Sequence, residues 1–235
     1  MSQRFDAILF DAGGVLVVPD PVAIGAALAP YAAFTVAEGI RAHYAGMRAL
    51  EVKALAEHHA PGTIERLDWT DYRHGYCVQV GVGDEHLRDA SEAMRAVFSP
   101  FLWRHRVEPA VTALWRLHRA RVPIGVVSNA SGQIEGVLRN EGVCQVGPGA
   151  GVPVRCVIDS WVVGVSKPDP AIFAPAIDAL GLPPARIAYV GDSVINDVAG
   201  AAAAGLQPLH LDPYDDHADA THERITDLAE LLAWV

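Results

Sequence analysis

The sequence predicts an α/β fold, a doubly wound parallel sheet, with a helical domain inserted into it. Three observations lead there. Four short apolar runs, AILF, VPIGVV, VRCVID and RIAYVG, lack polar alternation, as strands buried on both faces do. Each is followed by a polar or glycine-rich turn and then by helix-like sequence, the rhythm of a parallel sheet with helices on both sides. Between the first and second runs, about ninety residues carry no buried strand and read as helices instead.

Taken in order, AILF ends at Asp11 and two glycines. The insert follows, with helices expected at 23–28, 36–58 with breaks, 69–80 and 85–97. This divides the chain into a core of 1–17 with 107–235 and a smaller helical domain of 18–106. In 107–121, Val111, Leu114, Leu117 and His118 fall at helical spacing and Pro109 suits a first turn. The VPIGVV run ends at Ser128 and VRCVID ends before Ser160, with GPGAGVP at 147–153 expected as a flexible surface turn between them. A helix at 171–180 follows KPDP and stops at Gly181, and an Ala-rich helix at 197–204 stops at Gly205. The acidic, His-rich stretch HLDPYDDHADATHE reads as a solvated loop rather than a second metal site, and ITDLAELLAWV as the last helix.

Composition narrows the function classes. Of 235 residues 51% are apolar and 20% charged, the balance of an ordinary globular protein with a sizeable core. The net charge of -10 excludes a basic nucleic-acid surface and means that any phosphate handled here needs a cation beside it. Cys77, Cys144 and Cys156 form no C-x-x-C pair and are expected as buried, reduced thiols. MSQRFDAILFD has no leader pattern, and the longest uncharged stretch is broken by Pro30, so no membrane span and a cytoplasmic location are expected. No motif speaks to the oligomeric state.

In a parallel sheet Asp11, Ser128 and Asp192 fall at strand carboxyl ends, where ligands bind. Asp197 follows one turn after Asp192, and Asn129 and Lys167 complete the set. Carboxylates without nearby Cys or His are hard oxygen ligands suited to Mg²⁺. Lys167 and Ser128 suit phosphate oxygens, and an Asp can attack phosphorus to form an aspartyl-phosphate. Each residue also has a plain reading: Asp11 as a turn residue, Asp197 as a helix cap, Ser128 and Asn129 as a strand-to-helix turn, Lys167 as a surface lysine.

In order and spacing, FDAGGVL, VVSNAS, GVSKPDPAIF and YVGDSVINDVAGAAAAG resemble the four motifs of the haloacid dehalogenase-like (HAD) hydrolase superfamily. The resemblance spans essentially the whole chain. The helical insert is similar to that family's α-helical cap, as placed in the phosphoglycolate phosphatase and β-phosphoglucomutase branch. The resemblance implies a Rossmann-like core and a phosphatase using Mg²⁺ on a small phosphorylated metabolite. It further implies Asp11 as nucleophile and metal ligand, Gly13 lending its carbonyl to the metal, Asp192 as direct ligand and Asp197 behind it. Ser128 would bind the phosphoryl group, Asn129 would orient its neighbours, and Lys167 would bridge nucleophile and phosphate.

Gly13 departs from the pattern, since phosphatases of this family usually carry there the Asp that serves as general acid and base. Three explanations stand open: a phosphatase whose protons move through water or a cap residue such as His43, Tyr44 or Asp20; a phosphonatase-like enzyme with Lys53 as imine-forming amine; or a dehalogenase-like enzyme, which would have no use for the acid pair in GDSVIND. A catalytically weak binding or regulatory protein is the alternative outside the enzymes. Lys53 also stands four residues before Glu57, the spacing of an ordinary helix ion pair, and His58, His59 and the Trp residues are expected to pack within the cap.

Overall fold

The structure is a computed structural model and describes residues 4–58 and 67–235. It divides into two compact units, Met1–Val17 with Arg106–Val235, and Val18–His105. In chain order the elements are β1 (Ala7–Phe10), β2 (Val17–Pro19), α1 (Pro21–Leu28), α2 (Val36–His58), α3 (Trp69–Gln79), α4 (Leu87–Val97), β3 (Trp103–Arg106), α5 (Glu108–Arg119), β4 (Ile124–Ser128), α6 (Ile134–Asn140), β5 (Cys144–Val146), β6 (Val152–Val154), β7 (Val157–Asp159), α7 (Ser160–Val163), α8 (Ala174–Leu180), β8 (Ile187–Gly191), α9 (Ala199–Ala203), β9 (Gln207–Leu211) and β10 (Arg224–Ile225).

The first unit is the expected α/β core. Six strands form a parallel sheet in the order β10-β9-β8-β1-β4-β7. Successive side chains go to opposite faces. Ile8, Phe10, Ile124, Val126, Ala188 and Val190 belong to one apolar cluster, and Ala7, Leu9, Val127, Ile187 and Tyr189 to the other. From central β1 the chain builds outward through β4 and β7, then returns through β8, so the order reverses beside β1 and leaves a crevice at the carboxyl ends of these strands.

The second unit is helical. Ile24 and Leu28 of α1, Met47 and Leu50 of α2, Tyr72 and Tyr76 of α3, and Ala90 and Met94 of α4 form its core, with pairs three or four residues apart on one helix face. Asp20 caps α1 by accepting from Val22 and Ala23 N–H. Strands β2 and β3 pair with each other where the chain passes between the units.

Several expectations are corrected. The sheet has six strands, not four, because QPLHL and the two-residue β10 extend it. Pro208 in the first and the brevity of the second hide the strand period. Helix α2 runs without a break. The chain at 171–180 opens with a tight 3₁₀ turn, Pro170–Phe173, before α8, and the last helix is only a 3₁₀ segment, Leu228–Ala233. GPGAGVP is not wholly a surface turn: Val152 is buried in β6, and the buried Gln145 amide grips Gly151 through both its N–H and its carbonyl. HLDPYDDHADATHE is not a solvated loop, since His210 lies in β9 and Asp212 and His217 are buried. The Asp212 carboxylate accepts from the backbone N–H groups of Asp216 and His217 and from Arg224. Only Trp69 and Trp103 lie in the helical unit. Trp115 and Trp234 pack on the sheet core and Trp161 is exposed. His58 closes α2, and His59 lies outside the described residues. All three cysteines are free and buried, and among the described residues no helix is long and apolar enough to cross a membrane.

Candidate active site

The crevice at the carboxyl end of β1 is built by three short turns. Asp11 follows β1 directly, and its backbone N–H donates to Val190 of β8 (2.8 Å), which pins the residue between the two strands. Asp192 follows β8. The next turn is one residue wider than an α-helical turn, with Val198 N–H reaching back to Ser193 C=O. The extra residue carries Asp197 inward, to 1% exposure. Ser193 caps this turn, its hydroxyl accepting from Asn196 N–H, and Asp197 Oδ2 accepts in return from Ser193 N–H at 3.0 Å while Oδ1 faces Lys167, so a capping role of Asp197 coexists with its place in the cluster.

Two glycines make room for the acids. A Cβ on Gly14 would lie 1.9 Å from Asp192 Oδ2, and the residue has φ +73°, a conformation that L side chains resist. A Cβ on Gly191 would lie 2.2 Å from Asp197 Cγ. Gly13 is half-buried in the same turn and makes a single bridge to Val17.

Carboxylate oxygens of Asp11, Asp192 and Asp197 all lie within 4.8 Å of one another. Into this cluster comes Lys167, 4% exposed. Its Nζ lies 3.0 Å from Asp11 Oδ1, 2.6 Å from Asp197 Oδ1 and 2.8 Å from the Tyr189 hydroxyl. Asn129 fixes the lysine backbone from both sides, donating through Nδ2 to Lys167 C=O (3.0 Å) and accepting from Lys167 N–H (2.8 Å). This pair joins the end of β4 to the KPDP segment and carries the cis Lys167–Pro168 bond. Ser128, the last residue of β4, is buried beside β1.

Electrostatics follow from burial. Desolvation pushes the Asp11 carboxyl up to about 7, Lys167 opposes the shift, and the Asp197 and Asp192 charges add to it. Burial alone would lower the Lys167 pKa, but Asp11 and Asp197 outweigh it and keep the ammonium charged. Three carboxylates face one ammonium in a buried place, so negative charge is in surplus. An all-oxygen donor set of this kind fits a hard divalent cation.

Asp11, Lys167, Asp192 and Asp197 are therefore brought together, with Asn129 behind them and Ser128 on the neighbouring strand end. The other proton carriers considered from sequence belong to the helical unit. Asp20 is engaged by its cap and by Arg104 at 2.8 Å, the His43 ring pairs with the Tyr72 hydroxyl at 3.0 Å, and Tyr44 is buried. Lys53 pairs not with Glu57 but with Asp71, at 3.0 Å, which raises its pKa and works against the neutral amine that imine formation requires. Sequence reasoning missed Tyr189, whose hydroxyl joins the cluster. A lone tyrosine in an otherwise aliphatic buried strand was the available signal, because a buried hydroxyl needs a partner.

A family model described as haloacid dehalogenase-like hydrolase matches residues 5–205. The chain belongs to this family. Among HAD relatives, the phosphoserine phosphatase of Thermus thermophilus is 38% identical over 91 residues, covering 37% of this chain and 36% of that protein. The haloacid dehalogenase-like hydrolase domain-containing protein 3 of Bos taurus is 32% identical over 172 residues, covering 70% of this chain and 65% of that one. The chain thus matches less than two thirds of the length of these curated relatives. The crystal structure of a HAD phosphatase from Thermococcus onnurineus superposes with a TM-score of 0.58 over 97% of this chain and 96% of that one, at 21% identity. That likeness is one of fold.

Proposed function

We propose that this HAD hydrolase is a Mg²⁺-dependent phosphatase for a small phosphorylated metabolite, with Asp11 as the nucleophile. The observation that carries the reading is the Lys167 ammonium held between Asp11 and Asp197, with Asp192 completing a buried oxygen cluster. Asp11, Asp192, Asp197 behind them and the Gly13 carbonyl are the residues that would hold Mg²⁺. When bound, the ion would offset charge on the phosphoryl group.

The remaining work falls to side chains. An Asp11 oxygen forms a bond to phosphorus as the bond to the leaving oxygen breaks, that oxygen taking its proton from water; water then attacks the phosphorus of the aspartyl-phosphate, gives up a proton to solvent, and frees Asp11 and inorganic phosphate. Lys167 N–H and the Ser128 hydroxyl donate to phosphoryl oxygens, and Asn129 keeps the lysine backbone in register. The helical unit serves as the cap that sets substrate choice. The names of relatives, phosphoserine phosphatase and glyceraldehyde 3-phosphate phosphatase, support a small phosphate monoester as substrate.

The test is hydrolysis of p-nitrophenyl phosphate with Mg²⁺ by the wild type and by Asp11→Asn. The wild type should turn over, and the variant should lose roughly 10³-fold or more. Equal rates would remove Asp11 from the chemistry. Binding of Mg²⁺ and phosphate with no turnover across a panel of phosphate esters would instead mark a binding protein.

A further inference from the structure

An ammonium has three N–H donors and no acceptor. Lys167 faces three acceptors: Asp11 Oδ1 at 3.0 Å, Asp197 Oδ1 at 2.6 Å and the Tyr189 oxygen at 2.8 Å. Its donors are therefore all engaged. The Tyr189 oxygen accepts from Lys167, so its single hydrogen points elsewhere, to the Val127 carbonyl at 2.9 Å, with Asp197 Oδ1 at 3.0 Å as the other acceptor in reach. The ring is wedged edge-on against Phe173, with centroids 4.9 Å apart, and is fully buried in β8. Tyr189 is thus a fixed strut between the lysine and the backbone of the strand that ends in Ser128.

We propose that Tyr189 is a positioning residue for Lys167. It holds the third N–H of the ammonium in the resting protein and releases it to a phosphoryl oxygen on binding. A substrate oxygen that takes an N–H from Lys167 must displace one of the three acceptors. All three bonds have a charged donor, but the two carboxylates add the attraction of opposite charges and the phenol does not, so the phenol is the one displaced. The second half of this proposal rests on the phosphatase reading; the first half does not.

The chain contains two lysines, Lys53 and Lys167, and the Lys53 side chain is half-exposed. Lysine-selective ¹⁵N labelling should therefore show one slowly exchanging ammonium signal, from Lys167. In Tyr189→Phe, which keeps the ring against Phe173, this signal should exchange about ten-fold faster, and kcat for p-nitrophenyl phosphate should fall about 10- to 100-fold with KM nearly unchanged. A hydroxyl that only supports packing would lower the melting temperature and leave both readouts unmoved, which overturns the proposal. A lysine signal that depends on Tyr189 in a protein without turnover would support the positioning role and overturn the phosphatase reading. Normal turnover with an unchanged signal in the variant would do the reverse. In the wild type itself, the Tyr189 hydroxyl proton should show a nuclear Overhauser effect to the Lys167 ammonium, and its absence overturns the proposal whether or not Tyr189→Phe folds.

Discussion

Asp192 and Asp197 each lie against a glycine, so adding one methyl group tests how closely the acids must fit. In Gly191→Ala the new Cβ has to push the Asp197 side chain aside, and with it one of the two anionic partners of Lys167. Loss of such a supporting contact typically costs about 10- to 100-fold. Steady-state rates should fall by that much or more while far-UV circular dichroism stays unchanged. Gly13 sets a second expectation. Gly13 itself has no side chain to protonate a leaving group, and general acid catalysis is worth about 10²- to 10⁴-fold. Activity should therefore fall steeply from aryl to alkyl phosphates, and a flat dependence of kcat/KM on leaving-group pKa would show that another group supplies the proton.

At the scale of elements, Met94 and Ala90 of α4 lie one turn apart and both reach the helical core. Met94→Ala should destabilise the protein by about 2–5 kcal/mol, read as a lower midpoint in urea. Elements of this kind were legible in the sequence, because apolar spacing marks a helix face and an unbroken Val/Ile run marks a two-sided strand. What escaped were elements whose signal is not periodic. Strand β9 carries Pro208 and His210, so its end reads as loop, and β10 pairs through only two residues, so its Ile225 reads as the start of the last helix. The buried loop after β9 escaped because its acids serve the backbone: Asp212 accepts from two N–H groups and from Arg224, which no charge pattern announces. Within the site, the order of Asp11, Ser128, Lys167, Asp192 and Asp197 along the sequence was readable, since Asp11, Ser128 and Asp192 mark the ends of apolar runs, Asp197 shares the GDSVIND stretch with Asp192, and Lys167 opens KPDP. For Tyr189 the sequence signals only that a buried hydroxyl needs a partner; which partner shows only once β8, β4 and the KPDP segment meet.

At the scale of the molecule, three buried carboxylates beside one ammonium link folding to pH and, on the proposed reading, to metal. The Asp11 carboxyl titrates near 3.8 in its ordinary setting and near 7 in the folded chain, so the folded state holds the extra proton between those values. Stability of the metal-free protein should then fall as pH rises through that window and level off above about 7. On the proposed reading Mg²⁺ would bind the deprotonated cluster, so at one fixed concentration its stabilisation, about 2.7 kcal/mol where that concentration is a hundred times Kd, should be larger at pH 8 than at pH 5. Thermal unfolding with Mg²⁺ or a chelator at the two pH values checks this, and a pH-independent shift would separate the ion from Asp11.

The central claim, a phosphoryl group carried on Asp11, is tested most directly by quenching the protein during turnover of p-nitrophenyl phosphate with Mg²⁺ and reducing it with borohydride. An aspartyl-phosphate at Asp11 is converted to homoserine, and mass spectrometry of the peptide containing position 11 should show that change in the wild type and not in Asp11→Asn. Steady turnover with no modification at Asp11, or with the modification at another acid, would contradict the account.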